Sequence, residues 1–123
     1  MSDSIIGVID DDHGVRRATE RLLRSMGFQV EVFSSAKDFL LSAHVHHTSC
    51  LILDMQMPGM TGLELHRHLT AAGTRIPTIF ITAELDQTVR ARVLKAGALY
   101  LPKPFDDEDL LMAIRLALNI KPR

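Results

Sequence analysis

The stretch Ile5-Ile6-Gly7-Val8-Ile9-Asp10-Asp11 decides the fold, because a short apolar run leads directly into two acids. An apolar run without polar alternation suits a strand that is covered on both faces, as strands are in a parallel sheet. Three later runs have the same form, and each precedes a polar or charged residue. They are 51–53 before Asp54, 79–81 before Thr82, and 99–101, which only Pro102 separates from Lys103. We therefore expect one sheet whose strands end in a shared set of polar side chains.

Segments with helical periodicity separate these apolar runs. The five predicted helices cover about residues 14–26, 36–43, 62–72, 86–96 and 106–119. The first carries an apolar stripe formed by Val15, Ala18, Leu22, Leu23 and Met26. Gly27 suits the end of this helix, and Ser35, Asp86 and Asp106 suit the starts of three others. Residues 29–33 alternate in polarity and predict a further strand.

Strands that alternate with helices five times predict an α/β fold. The crossovers should be right-handed, which gives a (βα)5 doubly wound, five-stranded parallel sheet between two helix layers. With 123 residues and 46% hydrophobic content, we expect one domain over residues 1–123.

The bulk properties exclude several functional classes. A formal charge of −1 leaves no basic surface for nucleic acid, so we expect no nucleic-acid binding through this domain. No apolar stretch approaches the roughly 20 residues of a membrane span, and the first four residues lack signal-peptide character. We therefore expect a cytoplasmic protein without membrane contact. Cys50 lies among apolar residues and suits a buried position, whereas His44, His46 and His47 suit a solvated turn rather than a metal site.

Three acids are predicted at the carboxyl ends of strands, namely Asp10, Asp11 and Asp54. In open doubly wound sheets, ligands bind there, near the point where the strand order reverses. Clustered carboxylates repel one another, and a divalent cation with oxygen ligands removes that conflict, so Mg2+ is the natural candidate. The alternative is that residues 10–12 only cap the first helix and that Asp54 only begins a turn.

Together with Thr82-Ala83 and Lys103-Pro104, these acids resemble the receiver domain of two-component response regulators over essentially the whole chain. The resemblance implies a CheY-like, flavodoxin-like three-layer sandwich. Among receivers, the sequence is most similar to those of FixJ/NarL-type transcriptional regulators. It implies that Asp54 is the phosphoacceptor and that Asp11 and Asp54 bind Mg2+ directly. It further implies that Asp10 binds Mg2+ through water and that the backbone carbonyl of Gln56 completes the metal ligands.

The resemblance also assigns roles in phosphoryl transfer. Asp54 acts as the nucleophile, Lys103 supplies positive charge, and Thr82 donates its hydroxyl to the attached phosphoryl group. A cis Lys103-Pro104 bond is common in the family. By composition alone, Lys103 would be a surface lysine and Thr82 a β-branched residue finishing a strand.

Further residues are expected to control the signal. In receivers, the threonine and an aromatic residue on the fifth strand switch the face of the fourth helix and fifth strand, which implies Thr82 and Tyr100 here. Gln56 and Glu84 occupy the positions that tune the lifetime of the phosphoryl group. One departure stands out: the segment 97–103 is one residue shorter than the family spacing, with Leu99 where a polar loop residue is usual. We hypothesise an altered switch surface.

The resemblance implies a phosphorelay switch rather than an ordinary enzyme. A sensor histidine kinase or phosphotransfer protein supplies the phosphoryl group, the domain catalyses only its own phosphorylation and dephosphorylation, and a homodimer can form on phosphorylation. Two alternatives stay open. One is a pseudo-receiver that only binds proteins; the other is an Mg2+-dependent aspartyl phosphohydrolase, which needs a second acid where Gln56 stands. The sequence names neither the kinase nor the output.

Overall fold

The computed structural model describes residues 4–83 and 87–119, in which strands and helices alternate. The strands are β1 (Ile5–Ile9), β2 (Gln29–Phe33), β3 (Thr48–Asp54), β4 (Thr78–Thr82) and β5 (Leu99–Pro102). The helices are α1 (His13–Ser25), α2 (Ala36–Leu41), α3 (Gly62–Ala71), α4 (Gln87–Lys95) and α5 (Asp107–Asn119). A short 3-10 helix, Val45–His47, precedes β3 and contains part of the histidine-rich turn.

The sheet is parallel and has the strand order β2-β1-β3-β4-β5, which confirms the predicted fold class. The order reverses between β1 and β3, since the chain first moves outward to β2 and then returns to the other side of β1. In register, Ile9 pairs with both Phe33 and Leu53, and Asp54 pairs with Ile81. The carboxyl ends of the three central strands therefore lie side by side.

Two apolar layers explain why β1 and the central part of β3 show no polar alternation. One layer packs the sheet against α1 and α5, and its fully buried members include Leu23, Cys50, Leu110 and Ile114. The other packs the opposite face against α2, α3 and α4, and its fully buried members include Phe39, Leu53, Leu65, Phe80 and Val93. Burial raises the pKa of Cys50 to about 12, in agreement with its predicted apolar setting.

The helix boundaries differ from the sequence expectations by one or two residues, since α1, α3 and α4 each end one residue early, at Ser25, Ala71 and Lys95. Helix α1 begins at His13, one residue early, because the Asp12 side chain accepts a hydrogen bond from the Val15 N–H. Helix α2 starts after the Ser35 cap as predicted but ends at Leu41 instead of residue 43. There the N–H and the hydroxyl of Ser42 both donate to the Phe39 carbonyl, and Ser42 has extended backbone.

The predicted apolar stripe of α1 is also wrong at one position, since Ala18 is exposed and its neighbour Thr19 is buried instead. The Thr19 hydroxyl donates to the Val15 carbonyl within the helix at 2.8 Å. That bond satisfies the polar atom, so the side chain can face the sheet. The sequence expectation for Asp86 as a helix cap lies outside the described residues.

The three histidines before β3 are partly or fully exposed to solvent. The Nε2 atom of His44 lies 3.7 Å from the Glu31 carboxylate, while His46 and His47 are exposed. Across residues 4–83 and 87–119, no helix combines the length and apolar character needed to cross a bilayer.

Replacing Leu110 by alanine should test the α5 contact with the sheet. Leu110 is 0% exposed, so we expect Leu110→Ala to lower the free energy of unfolding by about 2–5 kcal/mol. Leu116 lies on the same helix but is 55% exposed, so Leu116→Ala should change the value by less than about 0.5 kcal/mol. Urea denaturation measures both. Equal losses in the two variants would contradict the assigned faces of α5.

Candidate functional site

Three carboxylates converge where the strand order of the sheet reverses. Asp10 follows β1, Asp11 comes next, and Asp54 is the last residue of the neighbouring strand β3. One oxygen from each carboxylate lies within 4.8 Å of the others. Asp10 is buried, Asp54 half-buried and Asp11 exposed, so the cluster opens to solvent on one side. The structure thus brings together the three acids that the sequence predicted to meet.

Backbone donors hold two of these carboxylates. The Asp12 N–H donates to Oδ1 of Asp10 at 2.9 Å, and the Gln56 N–H donates to Oδ1 of Asp54 at 3.2 Å. Asp12 itself caps α1. Of residues 10–12, Asp12 is therefore the one that caps the helix, whereas Asp10 and Asp11 form the carboxylate cluster with Asp54.

Burial and mutual repulsion act on the acids in the same direction. Burial, with added repulsion from Asp10 and Asp11, raises the pKa of Asp54 to about 6, although the Gln56 N–H and the Lys103 charge oppose this shift. Burial likewise raises the pKa of Asp10, and Lys103 again acts against it. The Lys103 ammonium is thus electrostatically coupled to both buried acids. Its positive charge offsets only part of the effect of burial and repulsion, since the pKa values of both acids remain raised.

The donor set fits a hard divalent cation. Carboxylate oxygens are the ligands that Mg2+ prefers, and a cation among them would offset both the burial and the repulsion that raise the Asp54 pKa. Gln56 is exposed beside Asp54, and its backbone carbonyl belongs to the same turn. Asp10, Asp11, Asp54 and Gln56 are therefore the residues that would hold the metal.

Thr82 and Lys103 lie at the same end of the sheet. Thr82 ends β4 and is 1% exposed, and the Lys103 N–H donates to the Thr82 carbonyl at 2.9 Å. The Lys103–Pro104 peptide bond is cis, as the family resemblance implies. Tyr100 pairs in register with Phe80, is half-buried, and packs against the core layer that includes α3 and α4. The expectation for Glu84 lies outside the described residues.

The segment between α4 and Lys103 turns at Gly97 and leads almost directly into β5. Gly97 has φ +79°, and the Ala98 N–H bonds back to the Val93 carbonyl at 3.2 Å. Ala98 alone then separates Gly97 from Leu99, the first residue of β5. The register of β5 with β4 is continuous from Leu99 to Pro102 and places Tyr100 opposite Phe80. An altered output surface stays a prediction.

Gly62 supports the site, although the sequence indicated only the start of a helix there. A Cβ at this position would lie 2.5 Å from the Asp54 carbonyl oxygen and 3.2 Å from the Cα of Met55. The Gly62 N–H also donates to the Met55 carbonyl at 3.2 Å. Helix α3 therefore begins directly against the backbone of Asp54, which only glycine permits. A second residue that the sequence did not indicate is Arg16, whose Nη1 donates to the Asp10 carbonyl at 2.8 Å.

The fold and the strand-end acids agree with a known family. The family model for the response regulator receiver domain matches residues 6–115. The chain belongs to the response regulator receiver domain family. Receiver domains act in two-component signalling, generally bind Mg2+ and interact with sensor kinases. They are generally not ordinary enzymes.

Individual relatives are similar over the whole receiver. The response regulator protein TodT of Pseudomonas putida is 45% identical over 126 residues, which cover 100% of this chain and 56% of TodT. The transcriptional regulatory protein FixJ of Azorhizobium caulinodans is 38% identical over 121 residues, with 97% of this chain and 57% of FixJ covered. This receiver chain thus spans about half the length of the curated relatives it matches.

A solved receiver structure agrees with the same assignment. The response regulator receiver protein from Burkholderia phymatum is 41% identical, has a TM-score of 0.80, and is matched over 97% of this chain and 98% of that chain. At this identity, the likeness extends beyond the fold to the family.

Neutralising Asp54 should stabilise the metal-free receiver at neutral pH. Because its folded-state pKa is raised to about 6, the ionised carboxylate favours unfolding as the pH rises from about 4 to about 6. After allowance for solvent screening, Asp54→Asn should raise the free energy of unfolding by about 1–2 kcal/mol at pH 7 and by little at pH 4. Urea denaturation in a chelator measures the difference. Asp12→Asn is the control; an equal gain there would contradict the cluster as the cause.

Adding a methyl group at Gly62 should disturb the Asp54 backbone. Since the new Cβ would overlap the Asp54 carbonyl oxygen, we expect Gly62→Ala to cost about 1–3 kcal/mol of stability and to shift the Asp54 amide resonances. Gly14 is also in the first turn of a helix, where a Cβ has only an ordinary 3.4 Å contact, so Gly14→Ala should not destabilise the fold. Denaturation and amide NMR spectra check both. Unchanged Asp54 resonances in Gly62→Ala would show that this contact is unimportant.

Proposed function

We propose that this receiver accepts a phosphoryl group on Asp54 in an Mg2+-dependent reaction, with a sensor histidine kinase or phosphotransfer protein as the donor. The observation that carries the proposal is the convergence of Asp10, Asp11 and Asp54, together with the Lys103 charge, where the strand order reverses. Phosphoryl transfer depends mainly on positioning and on neutralising the charge of the transferring oxygens. The acids would provide the positioning, and Lys103 together with a cation held by the acids would provide the neutralisation.

Asp54 is the nucleophile in this proposal. With a pKa of about 6, most of its carboxylate is ionised at neutral pH, so the attack on phosphorus needs no general base. The new bond joins a carboxylate oxygen to phosphorus, while the bond from phosphorus to the donor's histidine nitrogen breaks and that nitrogen keeps the electron pair. Lys103 compensates negative charge at the transferring oxygens. When bound by Asp10, Asp11, Asp54 and Gln56, Mg2+ would supply further positive charge there.

Thr82 and Tyr100 are the proposed switch. Thr82 ends the strand next to β3, and its hydroxyl can donate to a phosphoryl group on Asp54. Tyr100 pairs with Phe80, two residues before Thr82, so a shift at the end of β4 reaches Tyr100 through adjacent strands. We propose that phosphorylation repacks Tyr100 and thereby changes the face of α4 and β5. Gln56 and Glu84 are proposed to tune how fast water removes the phosphoryl group.

The wider role follows from relatives and is part of the proposal. FixJ is a transcriptional regulatory protein, and the matched relatives extend well beyond the matched region. We propose that this receiver controls transcription through an output domain, with a homodimer as one phosphorylated form. The catalysis would be limited to its own phosphorylation and dephosphorylation. Phosphoryl transfer from the sensor histidine kinase to the receiver would take place in the cytoplasm.

The two alternatives are less favoured by the site residues. A pseudo-receiver would have lost acids or the lysine, yet Asp10, Asp11, Asp54 and Lys103 are all present. An aspartyl phosphohydrolase needs a second acid for proton transfer two residues after the nucleophile, and Gln56 cannot take that role.

Incubation with Mg2+ and a small phosphodonor should add one phosphoryl group to the wild-type receiver. The adduct should be sensitive to hydroxylamine, as expected for an acyl phosphate, and peptide mass spectrometry should locate it on Asp54. Lys103→Ala should slow its formation by about 10- to 100-fold, since a charge opposite the transferring oxygens is lost.

Asp12→Asn is the matched control, because Asp12 is an acid next to the cluster that caps α1 instead of joining it. This variant should be phosphorylated like the wild type, whereas Asp54→Asn should not. An absent adduct in the wild type, or the same adduct in Asp54→Asn, would refute the proposed phosphoacceptor.

A further inference from the structure

The guanidinium of Arg16 on α1 contacts the β1–α1 connection, residues 10–12, which contains Asp10 and Asp11. Its Nη1 donates to the backbone carbonyl of Asp10 at 2.8 Å, and its Nη2 lies 3.0 Å from Nδ1 of His13. A guanidinium has only donors, so the His13 nitrogen accepts this bond. Arg16 is half-buried, and its backbone N–H donates to the Asp12 carbonyl at 2.9 Å. Arg16 thus contacts both ends of the connection.

The Asp10 carbonyl belongs to the peptide group that joins Asp10 to Asp11. Because a peptide group is planar, a hydrogen bond that fixes this oxygen also fixes the direction in which the chain enters Asp11. The other polar groups of Asp10 are held separately, its N–H by the Phe33 carbonyl at 3.2 Å and its Oδ1 by the Asp12 N–H at 2.9 Å. The contact with Arg16 is therefore the one that orients the peptide between the two acids.

The charge of Arg16 and its hydrogen bonds predict opposite effects on a bound cation. A guanidinium near the cluster repels Mg2+, so removing the charge alone would tighten metal binding. Removing the hydrogen bonds would loosen the peptide between Asp10 and Asp11 and weaken binding. Both acceptors of Arg16 are uncharged, a carbonyl oxygen and a ring nitrogen. Its contacts therefore determine the shape of the connection, and we expect the loss of the hydrogen bonds to dominate.

We propose that Arg16 is a positioning residue that holds Asp10 and Asp11 in the orientation in which they bind Mg2+. The inference rests on the proposed function, since it concerns the same metal site. Arg16 acts through the peptide group between the two acids and does not take part in phosphoryl transfer itself.

The test is isothermal titration calorimetry of the purified chain with Mg2+ alone. We expect Arg16→Ala to raise the dissociation constant by about 10-fold, as is typical when a residue that orients metal ligands is removed. Arg16→Lys keeps the charge and one donor, so it should lie between the wild type and Arg16→Ala. If Arg16→Ala does not fold, Arg16→Lys decides the question, because it too should bind Mg2+ more weakly than the wild type.

Two arginines of the same helix are matched controls. Arg24 makes the same kind of bond at the far end of α1, with its Nη2 donating to the Val30 carbonyl at 3.0 Å, and Arg17 is exposed next to Arg16. Arg24→Ala should lower the free energy of unfolding without changing Mg2+ affinity, and Arg17→Ala should change neither by much. Weaker Mg2+ binding confined to the Arg16 variants would support the proposal.

The outcomes separate the two proposals. No Mg2+ binding by the wild type would refute the proposed function and the metal site with it. Normal binding by the wild type, with equal or tighter binding by Arg16→Ala, would refute only the role of Arg16. Equally weakened binding in Arg24→Ala would also refute that role, since it would trace the effect to general stability of α1.

Discussion

The mutual repulsion of three carboxylates is the constraint on which the rest of this receiver depends. Asp10, Asp11 and Asp54 have oxygens within 4.8 Å of one another, and burial of Asp10 and Asp54 contributes most to the raised pKa of these two acids. The parallel pairing of β1 and β3 brings the acids together, and the two apolar layers stabilise that pairing. Glycine at position 62 then lets α3 begin against the Asp54 backbone. The apolar layers thus offset the unfavourable electrostatic energy of the carboxylate cluster.

Burial and repulsion together make the site responsive. A raised Asp54 pKa means that the folded, metal-free receiver is less stable with the carboxylate ionised than with it neutral. Any group that compensates the charge, whether a proton, a cation or the Lys103 ammonium, therefore shifts the energy of the folded state. A site without such a conflict would respond less to the arrival of a ligand. Poor electrostatic stability is thus a property that a switch can use.

Much of the fold was predictable because local signals and global topology agree. Apolar runs without alternation predicted strands covered on both faces, and their carboxyl ends predicted where the acids meet. The failures share a different cause, since each depends on contacts that the sequence pattern does not encode. Thr19 is buried because its hydroxyl bonds within α1, and Gly62 is required by a carbonyl of another element. Arg16 looks like any helix-surface arginine until the path of the chain brings Asp10 beside it.

The shortened segment before Lys103 illustrates how sequence and structure constrain each other. A missing residue within β5 would reverse the faces of every side chain beyond it, because strand side chains alternate with a period of two. The register from Leu99 to Pro102 is continuous with β4, and Gly97 turns the chain just before the strand with a φ of +79°. Ala98, 5% exposed, is then the single residue between the glycine that ends α4 and the strand that carries Tyr100. Because this connection is so short, and because the Ala98 N–H bonds back to the Val93 carbonyl of α4, we expect a rearrangement around Tyr100 to move the end of α4 as well.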